Sequence, residues 1–95
     1  MEKIAPTNKN ILRIFKYRCI MCGQEAHHVH EIVPKSLTKD WYVFENRVPL
    51  CISDHQHVHS YGSQNFKEEL EQKRIQKLEA FYGEEFISEI ERLFT

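Results

Sequence analysis

A chain of 95 residues is enough for one small domain, near the lower limit at which an apolar core suffices by itself. The formal charge of −1 by itself argues for no particular partner. No run of about 18 apolar residues occurs, so no membrane span is expected.

The first residues, Met1-Glu2-Lys3-Ile4-Ala5-Pro6, lack the apolar stretch of a secretory signal, which makes a cytoplasmic setting the expectation. Charge is unevenly spread. Residues 1–18 carry five bases, Lys3, Lys9, Arg13, Lys16 and Arg18, against Glu2 alone, whereas residues 65–95 carry eight acids against five bases. The basic stretch reads as an N-terminal arm suited to phosphate contact, and the acidic stretch as one that avoids it. Within 7–16, Ile11, Leu12 and Phe15 have helical spacing, which leaves a short helix or an arm entering a strand as alternatives.

All three cysteines and all six histidines fall between Cys19 and His59. Cys19-Ile20-Met21-Cys22-Gly23 sets two thiols three positions apart, a spacing that fits one tetrahedral ion when the chain turns tightly, and Gly23 eases that turn. An odd cysteine count favours a metal over a disulfide framework, and a structural metal is a common aid to small domains. Residues 26–33 are β-branched and aliphatic enough for a strand that Pro34 ends. On that strand His28 and His30 share one face, with His27 and Glu31 on the other.

Trp41, Tyr42 and Phe44 read as core-filling aromatics. Arg47-Val48-Pro49-Leu50-Cys51-Ile52 reads as a second strand, an edge one because of Pro49. Ser53 or Asp54 is placed to cap a following helix, on which His55 and His59, four apart, would reach one ion. After Gly62 an apolar stripe of Phe66, Leu70, Leu78, Phe81 and Tyr82 predicts a helix, interrupted at Lys73-Arg74 and partly filled by Ile75. Gly83 breaks it, and Phe86, Ile87, Ile90, Leu93 and Phe94 mark a second amphipathic helix. These stripes predict core packing or a homodimer contact through the C-terminal helices.

Cys-x2-Cys-Gly, then His30-Glu31 before Ile-x-Pro, then Asn46-Arg47-Val48-x-Leu50-Cys51, then Asp54-His55 and His59 four later, resembles the HNH endonucleases. The likeness covers residues 19–59 and is to the cysteine-flanked members, including small stand-alone proteins often encoded by phages and prophages. It implies an α+β domain: a ββα-metal core over 19–60, preceded by the basic arm 1–18 and followed by a helical extension over 64–95.

The resemblance further implies a divalent-metal-dependent hydrolase that nicks or cuts DNA, with a phage or host DNA-processing protein as a further partner. By position, His30, His55 and His59 would hold a catalytic Mg2+, Mn2+, Ni2+ or Zn2+ ion. Asn46 would brace the loop between the strands. Glu31 stands where the family usually has its general-base histidine, and Asp54 where a fourth cysteine would join Cys19, Cys22 and Cys51 on a structural Zn2+.

Both departures leave alternatives open. A free Glu titrates near ~4.3 against ~6.5 for His, so Glu31 is a weaker proton acceptor and His28 an alternative base. For the cysteines, the fourth donor is Asp54, His57 or water, or the thiols are simply free. The competing functional reading is a zinc-stabilised HNH-like module that binds DNA or protein without cleaving. A thiol-redox or metal-storage role would explain the cysteines but neither Asn46 nor the helix-borne histidines.

Overall fold

Short polar–apolar segments, each too small to be stable alone, are held together here by packing between residues distant in the chain. The computed structural model describes residues 3–94 as an α+β arrangement: a two-stranded antiparallel sheet and four α-helices among those residues. Thr7 caps helix α1 (Asn8–Ile14), its hydroxyl accepting from the Asn10 N–H at 3.2 Å. The segment is therefore a helix, and it buries Ile11 and Leu12. Lys16 and Tyr17 then adopt left-handed backbone, φ 58° and 57°, which reverses the chain into the cysteine turn.

The strands are β1 (His28–Glu31) and β2 (Arg47–Leu50), paired His28↔Leu50, Val29↔Pro49, His30↔Val48 and Glu31↔Arg47. The first is shorter than the 26–33 expected. Its pairing continues past the strand only through the Ile32 N–H to the Asn46 carbonyl, 2.9 Å. With two strands every strand is an edge, so Pro49 is tolerated, and its carbonyl accepts from the Ile20 N–H at 3.2 Å.

Helices α2 (Ile52–Tyr61), α3 (Lys67–Tyr82) and α4 (Ile87–Phe94) follow. Gly83, at φ 88°, separates the last two; a Cβ there would meet the Glu85 carboxylate at 3.1 Å.

The core gathers Ile11, Phe15, Cys19, Ile32, Phe44, Val48, Leu50, Val58, Leu70 and Leu78, all essentially inaccessible. Of the three aromatics expected to fill it, Phe44 does so, stacked on Phe94 at 4.2 Å between centroids, whereas Tyr42 is exposed and Trp41 half-buried. Trp41 and Tyr42 instead sit beside Lys35 and Arg47, whose cations cover their rings.

The expected gap at Lys73-Arg74 is also closed differently. Arg74 is buried, its guanidinium carbon 4.6 Å from the Phe44 centroid, while Ile75 is only half-buried. Desolvation lowers the Arg74 pKa, and Glu45 and Glu91 oppose that shift.

Pro6, Asn8 and the end of α1 are anchored to distant residues. The buried guanidinium of Arg47 donates to the Pro6 carbonyl and to Asn8 Oδ1, both at 2.5 Å, and Tyr82 Oη donates to the Ile14 carbonyl. Lys9, Arg13, Lys16 and Arg18 nevertheless stay exposed. No helix among the described residues is long and apolar enough to cross a membrane.

Candidate metal centres

The cysteine turn is closed by backbone alone. The Cys19 N–H donates to the Gln24 carbonyl at 2.7 Å, the Gly23 N–H to the Cys19 carbonyl at 2.9 Å, and Arg18 bridges Glu25. Gly23 takes φ +79°, a left-handed position that suits glycine. Cys51 arrives from the end of β2 in extended backbone and is itself the N-cap of α2: its sulfur accepts from the Asp54 N–H at 3.4 Å and its carbonyl from the His55 N–H at 2.9 Å. The cap expected at Ser53 or Asp54 thus falls earlier, because the chain is still extended at Cys51. That shift frees the Asp54 carboxylate.

Asp54 Oδ2 lies 3.2 Å from Cys19 Sγ and 3.3 Å from Cys51 Sγ, and the Cys22 and Cys51 sulfurs are 3.6 Å apart. The donor atoms of all four residues lie within 4.8 Å of one another. Zinc–sulfur bonds of about 2.3 Å in a tetrahedron put sulfurs roughly 3.7 Å apart, so the spacing suits one ion. It is far too long for a disulfide, whose sulfurs are about 2.05 Å apart, and all three cysteines are free. His57 is not in the group; its exposed ring packs on Tyr61 and Phe66, at 4.7 and 5.5 Å.

Burial raises the Cys19 thiol pKa, partly offset by backbone N–H groups of Cys51, Cys22 and Met21. Burial pushes Asp54 up too, but hydrogen bonds from the three thiols outweigh it and hold the carboxyl below its ordinary value. A cation here would replace shared thiol protons, and those amide donors suit the thiolate form.

The imidazole cluster combines the middle of β1 with one face of α2. His30, opposite Val48, is 4% exposed; its ring centroid is 5.4 Å from those of both His55 and His59, and the latter two are 4.6 Å apart. The Nε2 atoms of His55 and His59 lie 3.0 Å apart, near the separation of neighbouring ligands at bonds of about 2.1 Å. His30 Nε2 is buried with no hydrogen-bond partner. Burial first, then the nearby His55 and His59, pushes the His30 pKa down to about 4, so the ring is neutral at pH 7. Burial likewise lowers His55, reinforced by His59 and His28. One nitrogen from each of the three rings lies within 4.8 Å of the others, and His30 brings a buried Nε2 without a partner, a donor set that a divalent cation would satisfy.

These side chains line a cleft of about 260 Å3 together with Val29, Glu31, Pro34 and Ser63. Glu31 lies opposite Arg47 in the ladder, but Arg47 is turned to Pro6 and Asn8, and Glu31 is among the residues that line the cleft. His28 is exposed, 5.6 Å from His55 between ring centroids, and lines an adjacent hollow with His27 and Cys51 rather than the cleft. His27 pairs with Glu25 at 3.1 Å on the surface.

Asn46 touches no imidazole. Its Oδ1 accepts from the Val33 N–H at 2.8 Å, and its Nδ2 donates to the carbonyls of Val33 and Trp41 at 2.8 and 3.0 Å, lacing shut the loop between the strands. Gln64 adds a second stitch, donating to the Ile32 carbonyl at 3.1 Å. Sequence reading missed Gln64, Ser63 and the Arg47 clamp; each acts across a long separation in the chain, and no local spacing marks it.

No protein-family model matches the chain, and neither a curated protein nor a solved structure was found similar to it.

Proposed function

We propose that the protein is a divalent-metal-dependent endonuclease of the HNH type, hydrolysing phosphodiester bonds in DNA. The observation that carries this reading is the His30, His55 and His59 cluster, in which the Nε2 of His30 is buried without a partner, on the wall of a cleft that also holds Glu31. The order β1, β2, α2, with ligands on the first strand and the helix, is consistent with a ββα-metal core.

His30, His55 and His59 would hold the catalytic ion, which when bound supplies positive charge for the phosphate and its departing oxygen. Glu31 acts as the general base: the water oxygen forms the new bond to phosphorus while its proton passes to the Glu31 carboxylate. The bond from phosphorus to the leaving sugar oxygen breaks, and that oxygen takes a proton from solvent. Glu31 is favoured over His28 because Glu31 lines the cleft and His28 does not. Cys19, Cys22, Cys51 and Asp54 would hold zinc that does no chemistry and fixes the end of β2 and the start of α2, the helix that carries His55 and His59. Asn46 is a positioning residue.

The test is nicking of supercoiled plasmid with Mg2+, Mn2+, Ni2+ or Zn2+, beside His30→Ala, Glu31→Gln and His28→Ala. Nicking that disappears with His30→Ala and falls sharply with Glu31→Gln is the expected result. Folded, zinc-loaded protein that cleaves with none of the four ions would overturn the reading and leave a non-cleaving binding module.

A further inference from the structure

The C-terminal half is acidic overall, and on α3 a row that begins with Glu69 turns basic after its first position. Lys73, Lys77 and Phe81 recur every fourth residue along α3 and so share one face of that helix. That face meets the cysteine turn: Ile20, Met21, Cys22 and Gly23 line a cleft of about 250 Å3 with Lys73, Gln76 and Lys77. The Lys77 ammonium comes within 3.6 Å of where a Gly23 side chain would begin. From the other direction the left-handed turn after α1 lays Lys16 over the same ring, its Nζ 4.8 Å from the Phe81 centroid, with Lys77 Nζ at 5.8 Å.

The ion pairs among the described residues are Glu25–His27, Lys67–Glu71 and Glu89–Arg92. None uses Lys16, Lys73 or Lys77. Three cations drawn from α3 and the turn after α1, two of them against one aromatic ring, thus stand beside the cysteine turn without a carboxylate partner.

We propose that this face, formed by Lys16, Lys73 and Lys77 beside the Cys19–Cys22 turn, is a docking surface for the phosphate backbone of DNA. A polyanion suits it better than a single small anion, because the cations spread over a surface instead of converging on one point. The face is separate from the cleft lined by His30, Glu31, His55 and His59, and shares no residue with it. Binding here would anchor the duplex through the cysteine turn, whose cluster shares α2 with the imidazoles. The identity of the polymer rests on the nuclease reading, but the contact does not depend on cleavage.

The test is fluorescence anisotropy of a short labelled duplex titrated with zinc-loaded, full-length protein over a range of KCl concentrations. It is run in the His30→Ala background so that no cleavage intrudes. The triple change Lys16→Gln, Lys73→Gln, Lys77→Gln is expected to weaken binding at least about tenfold and to flatten the plot of log affinity against log salt by about 2 to 3. Arginine at the same three positions restores both. If the triple variant does not keep its zinc and its helical circular dichroism, Lys73→Gln alone serves, with a slope change of about 1 expected.

Unchanged affinity and slope would overturn the proposal, as would wild-type protein without salt-dependent DNA binding. A mononucleotide that binds as tightly as the duplex would also overturn it, in favour of a simple anion site. Plasmid nicking with an unchanged slope sinks this face and spares the nuclease. A flattened slope without nicking under any ion does the reverse.

Discussion

Helix α2 serves two clusters through neighbouring residues, and the clusters are built on opposite plans. Asp54 closes a group of four donors in which Cys19 and Cys51 are buried, tied by backbone into a tight turn and a helix cap. His55, the next residue, joins a group of three donors that opens onto a cleft with a carboxylate on its wall. A closed tetrahedral set has no room for substrate, whereas three ligands leave positions for water and phosphate. One step along a helix turns a side chain by about 100°, enough to separate a site that stabilises from a site suited to reaction. The proposed function therefore predicts that stability and chemistry are separable by mutation.

The sharpest way to break the comparison is Cys51→Ser. It removes a thiolate donor and leaves a hydroxyl that can still cap α2, so on the proposed reading the protein should lose tight zinc binding and be destabilised by more than about 3 kcal/mol through the lost metal. Zinc content and thermal unfolding by circular dichroism check this; a stable, zinc-bearing variant would make the cysteine cluster dispensable. His30→Ala should do the opposite, abolishing plasmid nicking while zinc content stays at one ion per chain and the circular dichroism spectrum holds.

Next in size, Glu31→Gln should lower the nicking rate about a hundredfold without changing metal content, whereas His28→Ala costs less. A larger loss with His28→Ala would move the base to that residue. Asn46→Ala removes three hydrogen bonds from a nearly buried side chain and should cost about 2–3 kcal/mol in urea unfolding.

A more gradual effect is in pH. His30 is held at about 4 in the fold against about 6.5 when unfolded. Between those values the unfolded chain binds a proton that the native chain refuses. The His30 contribution therefore reduces stability as pH falls through that window, by at most about 1.4 kcal/mol per pH unit, and levels off below it. Protein carrying only the thiolate-held ion should show this slope, and His30→Asn should flatten it.

Much of the candidate site was legible before any coordinates, because its signals are local. Cys19 and Cys22 three apart predict a shared ion, and His55 and His59 four apart predict a shared helix face. The conjunction with His30 comes from the motif order, and both groups assemble in the fold. What could not be read depends on partners distant in sequence.

Arg74 interrupts an apolar stripe, and the Phe44 ring, some thirty positions upstream, together with the charges of Glu45 and Glu91, gives its guanidinium a place in the core. Arg47 looked like one residue of a strand, yet it clamps Pro6 and Asn8. Cys51 caps α2 because β2 delivers it in extended backbone, which residue preference at Ser53 and Asp54 cannot foretell. The basic arm and the acidic tail, opposed by composition, meet around Phe81 for the same reason.

The most direct measurement is a cobalt titration of metal-stripped protein, following thiolate-to-cobalt absorption and plasmid nicking in the same samples. Two unlike sites predict that the absorption saturates with the first equivalent and that nicking rises only with the second. His30→Ala should keep the first response and lose the other. Nicking that tracks the first equivalent, or survives His30→Ala, would contradict the division into a closed structural centre and an open catalytic one.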